Sequence, residues 1–227
     1  MDELARLKIL YSEDKINKLK NQKIMLFGLG GVGGYVLETL ARSGISSFII
    51  IDGDIIEESN INRQIIATKE NIGESKVIAF KKRLLAINPD IKVEMIDKFI
   101  HKDDIVRLPF DGVNYVIDCI DTISTKIALA KYCFDNNIKI ISAMGAGNKF
   151  NPMGFIETDI YKTEVDPIAK KMRGELRKLG VDKLKVVYSK EVPQKNGNMN
   201  IGSNAFVPAS MGIYIASIVF KDLLEDE

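Results

Sequence analysis

Five separated groups of residues have the charges and glycines that handle a nucleotide polyphosphate. They are Gly28-Leu29-Gly30-Gly31-Val32-Gly33-Gly34, Asp52 with Asp54, Ser59-Asn60-Ile61-Asn62-Arg63-Gln64, Lys76, and Asp121-Thr122. The glycines let the backbone turn tightly, so that helix N-terminal amides face phosphate oxygens. Glycines at this spacing followed by an acid after the next strand equally describe an NAD site, so the loop alone leaves the nucleotide open. Past that acid a dinucleotide needs no further strong cation. A triphosphate does, because its negative charge must be neutralised as it shifts toward pyrophosphate. Arg63 and Lys76 can supply the cations, which favours ATP.

These groups need a scaffold that brings distant segments to one edge. The apolar run 24–27 predicts a buried parallel strand, and Val32, Val36 and Leu40 repeat at helical spacing after the glycine turn. A second apolar run, 48–51, delivers Asp52 to the carboxyl edge of the sheet, where open α/β folds bind ligands. Val77, Phe80, Leu84 and Ile87 mark a helix, 91–96 alternates like a strand, 115–118 is a strand ending in acids, and 123–134 is a helix. Residues 138–142 make the next strand. Beyond Gly147 the pattern predicts a strand over 154–159, a basic helix over 166–179, a short strand over 185–188 and a loop over 190–203. The fold class is α/β: a Rossmann-like, mostly parallel sheet with helices on both faces and a basic carboxyl-terminal α/β extension. One domain over 1–227 is expected, with a nucleotide-binding core at 1–150 and the extension at 151–227.

The stretch resembles the superfamily of ubiquitin-activating enzymes and their bacterial relatives that adenylate carboxylates. The matching motifs are Gly-x-Gly-Gly-x-Gly at Gly28 to Gly33, Asp-x-Asp at Asp52 and Asp54, Ser-Asn-x-x-Arg-Gln at Ser59 to Gln64, and Gly73-Glu74-Ser75-Lys76. The resemblance implies that Asp52 holds the ribose hydroxyls and that Asn60, Arg63 and Lys76 contact the phosphates. It also implies that Lys76 stabilises the departing pyrophosphate and that Asp121, beside Thr122, helps hold Mg²⁺, which suits a hard cation. Arg6 matches an amino-terminal arginine that reaches across a homodimer to the partner's ATP. By itself Arg6 reads as part of a short helix over 2–10.

Composition excludes several other classes. A chain of 227 residues, 46% hydrophobic, can bury a sizeable core, and a net charge of +1 gives no whole-molecule attraction to nucleic acid. With two cysteines and no signal-like amino terminus, a cytoplasmic protein is expected. Cys119, read as lying in a strand, and Cys133, on a helix, are expected to be small buried residues; they are too far apart for a zinc pair. The single histidine, His101, is expected at a helix cap or on the surface. The charge-free apolar segment 205–220 has 16 residues, where a bilayer-spanning helix needs about 20. A buried terminal helix or a subunit interface is expected there rather than membrane association.

Motifs outside the nucleotide site select a branch of the superfamily. Ala41-Arg42-Ser43-Gly44-Ile45, Asp166-Pro167-Ile168-Ala169, Glu175-Leu176-Arg177-Lys178 and Ser203-Asn204-Ala205-Phe206-Val207-Pro208 resemble the tRNA threonylcarbamoyladenosine dehydratases. That resemblance implies adenylation of the threonyl carboxylate next to the anticodon, followed by ring closure. The implied partner is tRNA, with a sulfur-transfer protein as a further possibility. It also gives meaning to 162–195, which holds 10 Lys or Arg against 5 Asp or Glu, with Lys170, Lys171, Arg173, Arg177 and Lys178 as phosphate contacts. Charge alone would equally describe a solvated helix face. Two other functions stay open: adenylation of a ubiquitin-like sulfur carrier, and a nucleotide-sensing scaffold without turnover.

Overall fold

Strands buried on both faces read as continuous apolar runs, and this chain forms its sheet around three of them. A computed structural model describes residues 3–194, 197 and 201–225. The readings that fall on Asp2, Lys195, part of the loop over 190–203 and the last two residues lie outside the described residues. Seven strands are described: β1 (Lys23–Phe27), β2 (Ser47–Ile51), β3 (Lys92–Ile96), β4 (Tyr115–Asp118), β5 (Ile140–Ala143), β6 (Phe155–Asp159) and β7 (Lys185–Ser189). They form one sheet in the order β3-β2-β1-β4-β5-β7-β6. Every neighbouring pair is parallel except β6 with β7. Strands from the carboxyl-terminal extension therefore complete the sheet of the core.

Side chains alternate between the two faces. Ile24, Leu26, Phe48, Ile50, Tyr115 and Ile117 pack on one side, against α3 (Gly33–Arg42), α4 (Lys76–Ile87) and α7 (Phe206–Glu225). Met25, Phe27, Ile49, Ile51 and Val116 pack on the other, against α5 (Ile123–Asp135). Helix α6 (Pro167–Lys178) covers Val186 and Tyr188 on β7 with Ala169, Met172 and Leu176. Register aligns Phe27 with both Ile51 and Asp118. The chain thus leaves β1, β2 and β4 at one edge, and strand order reverses between β1 and β4, where an α/β sheet opens a ligand crevice.

Two expectations at the ends of the chain are corrected. The expected single helix over 2–10 is a pair, α1 (Ala5–Tyr11) and α2 (Glu13–Leu19), broken at Ser12 with φ +73°. Helix α2 anchors the pair by burying Ile16 and Leu19. The terminal helix has 20 residues, because Lys221-Asp222-Leu223-Leu224-Glu225 continue the turns that the apolar run begins. By length and composition it could cross a membrane, yet 61% of its apolar window is buried inside the fold. Pro208 does not break it, since a first-turn residue has no helical partner for its N–H. The Asn204 side chain accepts the Val207 N–H at 2.8 Å just ahead of it.

Glu38 joins α3 to α4. Its buried carboxylate accepts from Arg83 at 2.6 and 3.1 Å and from Arg42 at 2.8 Å. Burial pushes this carboxyl up, but the Arg83 and Arg42 guanidiniums outweigh burial and hold it below the usual glutamate value. A lowered folded pKa adds stability above the unfolded value of about 4.3, and that stability is lost as pH falls through the folded value. Glu38→Gln should therefore cost about 1–2 kcal/mol at pH 7, the partly exposed guanidiniums reducing the value of a charged hydrogen bond. Urea midpoints at pH 7 and pH 3 check this; the gap between wild type and variant should close at the lower pH.

Candidate active site

The carboxyl ends of β1, β2, β3 and β4 enclose a cleft of about 480 Å³. Gly28 follows β1 with φ +82°, and a Cβ there would stand 2.6 Å from the Cys119 carbonyl oxygen. A Cβ on Gly33, at the start of α3, would meet the Gly28 carbonyl oxygen at 1.8 Å. The turn can thus close against both β4 and the first turn of α3 only with hydrogen at these two positions. Gly28, Gly30 and Gly31 line the cleft; Gly33 lies under the turn, outside the lining.

Asp52 closes the second side. Its two oxygens accept the Leu29 N–H at 2.6 Å and the Asp54 N–H at 2.8 Å, which fixes the carboxylate against the glycine turn. Burial raises its pKa, opposed by the Lys76 charge. Asn60 ends the 3₁₀ turn Glu58–Asn60, and its amide oxygen accepts the Glu57 N–H at 3.2 Å. Arg63 donates to the Ser59 carbonyl at 2.7 Å and to Asn62 at 2.9 Å while its side chain lines the cleft. Ser59 is exposed, bonded to Glu57 and outside the lining. Gln64 lines the cleft, is 7% exposed, and its amide oxygen has no hydrogen-bond partner.

Lys76 is the first residue of α4 and is 4% exposed. Its ammonium lies 2.6 Å from Asp54 and 3.9 Å from Asp52. On the opposite wall the acid that ends β4 and the acid on the turn after it separate. Asp118 is fully buried, 2.8 Å from the Lys126 ammonium, and accepts from the Ser142 hydroxyl at 2.5 Å and the Ile120 N–H at 3.1 Å. Asp121 stands exposed on the turn beside Thr122, and both line the cleft. Four acids (Asp52, Asp54, Glu57, Asp121) and three cations (Arg63, Lys76, Lys98) face this space. A triphosphate entering alone would meet excess negative charge. The exposed carboxylates of the cleft, Asp121 among them, are of the type that a hard divalent cation accompanying the nucleotide would use.

Several lining residues were not anticipated from the sequence. Lys98, Phe99 and Ile100 follow β3 just as Asp52 follows β2, so applying the strand-end rule to β3 would have found them. Phe99 and Ile55 are 60% and 54% exposed and put apolar surface beside the charged groups. Cys119 lies one residue past β4 rather than within a strand, in the cleft wall. Burial, then the Asp118 charge, pushes its thiol up to about 12; burial does the same to Cys133, so neither offers a thiolate nucleophile. His101 begins the 3₁₀ turn Lys102–Arg107 as its cap.

Arg6 is exposed on α1 and is not among the residues lining the cleft of its own chain. Lys170, Lys171, Arg177 and Lys178 are exposed on α6, opposite the buried Ala169, Met172 and Leu176. Arg173 departs from that pattern: it turns back to donate to the Thr163 carbonyl at 2.9 Å and to the Thr163 hydroxyl.

The ThiF family pattern matches residues 2–226. The Bacillus subtilis tRNA threonylcarbamoyladenosine dehydratase is 36% identical, covering 100% of this chain and 96% of that protein. The crystal structure of Escherichia coli tRNA N6-threonylcarbamoyladenosine dehydratase, TcdA, in complex with ATP superposes with a TM-score of 0.92 at 32% identity. The match covers 98% of this chain and 93% of that one. The complex of the same enzyme with AMP gives a TM-score of 0.90.

Proposed function

The chain belongs to the ThiF family, and from its site and its full-length likeness to dehydratases we propose that it is an ATP-dependent tRNA threonylcarbamoyladenosine dehydratase. The carrying observation is the convergence of the glycine turn, Asp52, Arg63, Lys76 and Asp121 on one cleft, in a chain alike along its whole length to dehydratases. A carboxylate does not lose oxygen to an internal nucleophile at neutral pH. Joined to AMP it becomes a mixed anhydride with a good leaving group. The threonyl carboxylate oxygen bonds to the α-phosphorus of ATP, and the bond to pyrophosphate breaks. The carbamoyl group of the same modified base then attacks the activated carbonyl, closing the ring and releasing AMP.

The residues of this chain orient and neutralise. Asp52, pinned by two amides, takes the ribose hydroxyls, and Phe99 with Ile55 offers apolar surface to the purine. Asn60, Arg63 and Lys76 face the phosphates. Mg²⁺, held through Asp121, would screen the β- and γ-phosphates, consistent with a lining whose acids outnumber its cations. The nucleophile belongs to the substrate, which agrees with two cysteines whose thiols stay protonated. Arg6 would complete the phosphate site from the partner in a homodimer, and α6 would meet tRNA backbone. The enzyme would work in the cytoplasm as a ligase-type catalyst, where a sulfur-transfer protein could join it.

ATP–pyrophosphate exchange tests this reading. Exchange should require tRNA carrying threonylcarbamoyladenosine, and turnover of the same substrate should release AMP with the cyclic base. Exchange driven by a ubiquitin-like sulfur carrier, and not by modified tRNA, would move the substrate to the other branch. ATP binding without exchange under any acceptor would leave a nucleotide sensor.

A further inference from the structure

Lys76 and Asp54 are held side by side by backbone, independently of their charges. The Asp54 carbonyl accepts the Lys76 N–H at 3.1 Å, Ile55 bridges Ser75 in antiparallel fashion, and the Ile56 N–H reaches the Glu74 carbonyl at 2.8 Å. The lysine stem is buried at the first turn of α4, with its side chain 5% exposed; the Asp54 side chain is 51% exposed. Removing the Asp54 charge therefore leaves the lysine where it is.

What it removes is the lysine's counter-charge. Asp52 is the other nearby acid, but its ammonium contact is 3.9 Å and its oxygens already hold two amides. A buried ammonium without a close partner is unfavourable, so an anion must sit beside it whenever no phosphate does. Asp54 at 2.6 Å fills that role. Phosphate oxygens reaching the same ammonium would compete with this carboxylate, and would be repelled by it.

We propose that Asp54 is a positioning residue that serves as the counter-ion of Lys76 in the nucleotide-free enzyme and yields the ammonium to the polyphosphate. It thereby weakens ATP binding rather than contributing a nucleotide contact. This inference rests on the reading that Lys76 meets phosphate. It assigns Asp54 a different part from the nucleotide contact expected from the Asp-x-Asp motif. A residue that merely shaped the loop would do the reverse, and its loss would loosen all nucleosides alike.

The test is calorimetric titration of the full chain with MgATP and with adenosine, for wild type and Asp54→Asn. A coupling of ordinary size predicts that the variant binds MgATP about fivefold tighter or more. Adenosine, which has no phosphate, should bind both proteins equally. Asp54→Glu keeps the charge and should retain wild-type affinity. In a Lys76→Met background Asp54→Asn should no longer tighten ATP. Unchanged or weaker MgATP binding by Asp54→Asn overturns the proposal, and so does equal tightening of adenosine. If the asparagine variant does not fold, Asp54→Ser removes the same carboxylate from this half-exposed position and must show the same tightening. Wild type that binds no ATP would instead overturn the nucleotide reading of the whole site.

Discussion

Replacing Lys76 with alanine is expected to lower the rate of adenylate formation about 10²-fold or more, the usual cost of removing a focused cation from a developing transition-state charge. The ammonium lines a cleft in which acids outnumber cations, and its stem is buried, so water cannot take its place cheaply. As pyrophosphate leaves, negative charge grows on the bridging oxygen, and a fixed cation in a poorly solvated site stabilises that charge without reorganising. The loss should be chemical rather than structural, since the partner left behind, Asp54, is half exposed and can be hydrated. Single-turnover rates with modified tRNA, alongside thermal midpoints, separate the two. Near wild-type turnover would remove the role; a collapsed midpoint would make the lysine structural. Lys76→Arg should recover part of the rate, because a guanidinium keeps the charge but sets its donors in a planar fork.

Much of this site was legible because the positions that bear chemistry follow apolar runs. β1, β2 and β4 are buried almost throughout, so their sequences are mostly apolar runs, and the glycine that follows β1 and the aspartates that end the runs of β2 and β4 mark the sheet edge. β4 separates its two acids for the same reason. Asp118 is the last strand residue and must find a buried partner, while Asp121 has reached the turn.

What stayed hidden depends on tertiary partners. The identity of Lys76 marks a cation, but only the bridge between 54–56 and 73–76 reveals that a carboxylate is set against it. Arg173 has the helical register of the buried face, four residues after Ala169 and three before Leu176, yet in composition it counts as one more basic residue. Helix α7 outlasts its apolar run because charged residues end a hydrophobic pattern without ending hydrogen bonding. Ser12 breaks the amino-terminal helix by a backbone angle for which its residue type gives no warning.

Charge reversal of Lys170, Lys171 and Arg177 to glutamate is expected to weaken tRNA binding by about 10²-fold near physiological salt. Each phosphate contact contributes roughly 0.7 to 0.9 to the slope of log affinity against log salt, so three lost contacts remove roughly 2.1 to 2.7 from that slope. The three residues and Lys178 lie on one face of α6, two adjacent pairs seven residues apart and so about two turns apart, and this face is solvent-exposed while Ala169, Met172 and Leu176 hold the helix to the sheet. Arg173 is left out because its guanidinium is engaged with Thr163, so its loss would disturb the fold at the start of the helix. Lys178 is left out because Glu175 lies 2.8 Å from its ammonium and already offsets part of its charge. MgATP affinity should not change, since none of the three lines the cleft. Unchanged tRNA affinity and unchanged slope would reduce α6 to a solvated face. A loss of affinity that persists at high salt would show instead that the substitutions act through folding, because a backbone contact made by charge must fade as counterions replace it.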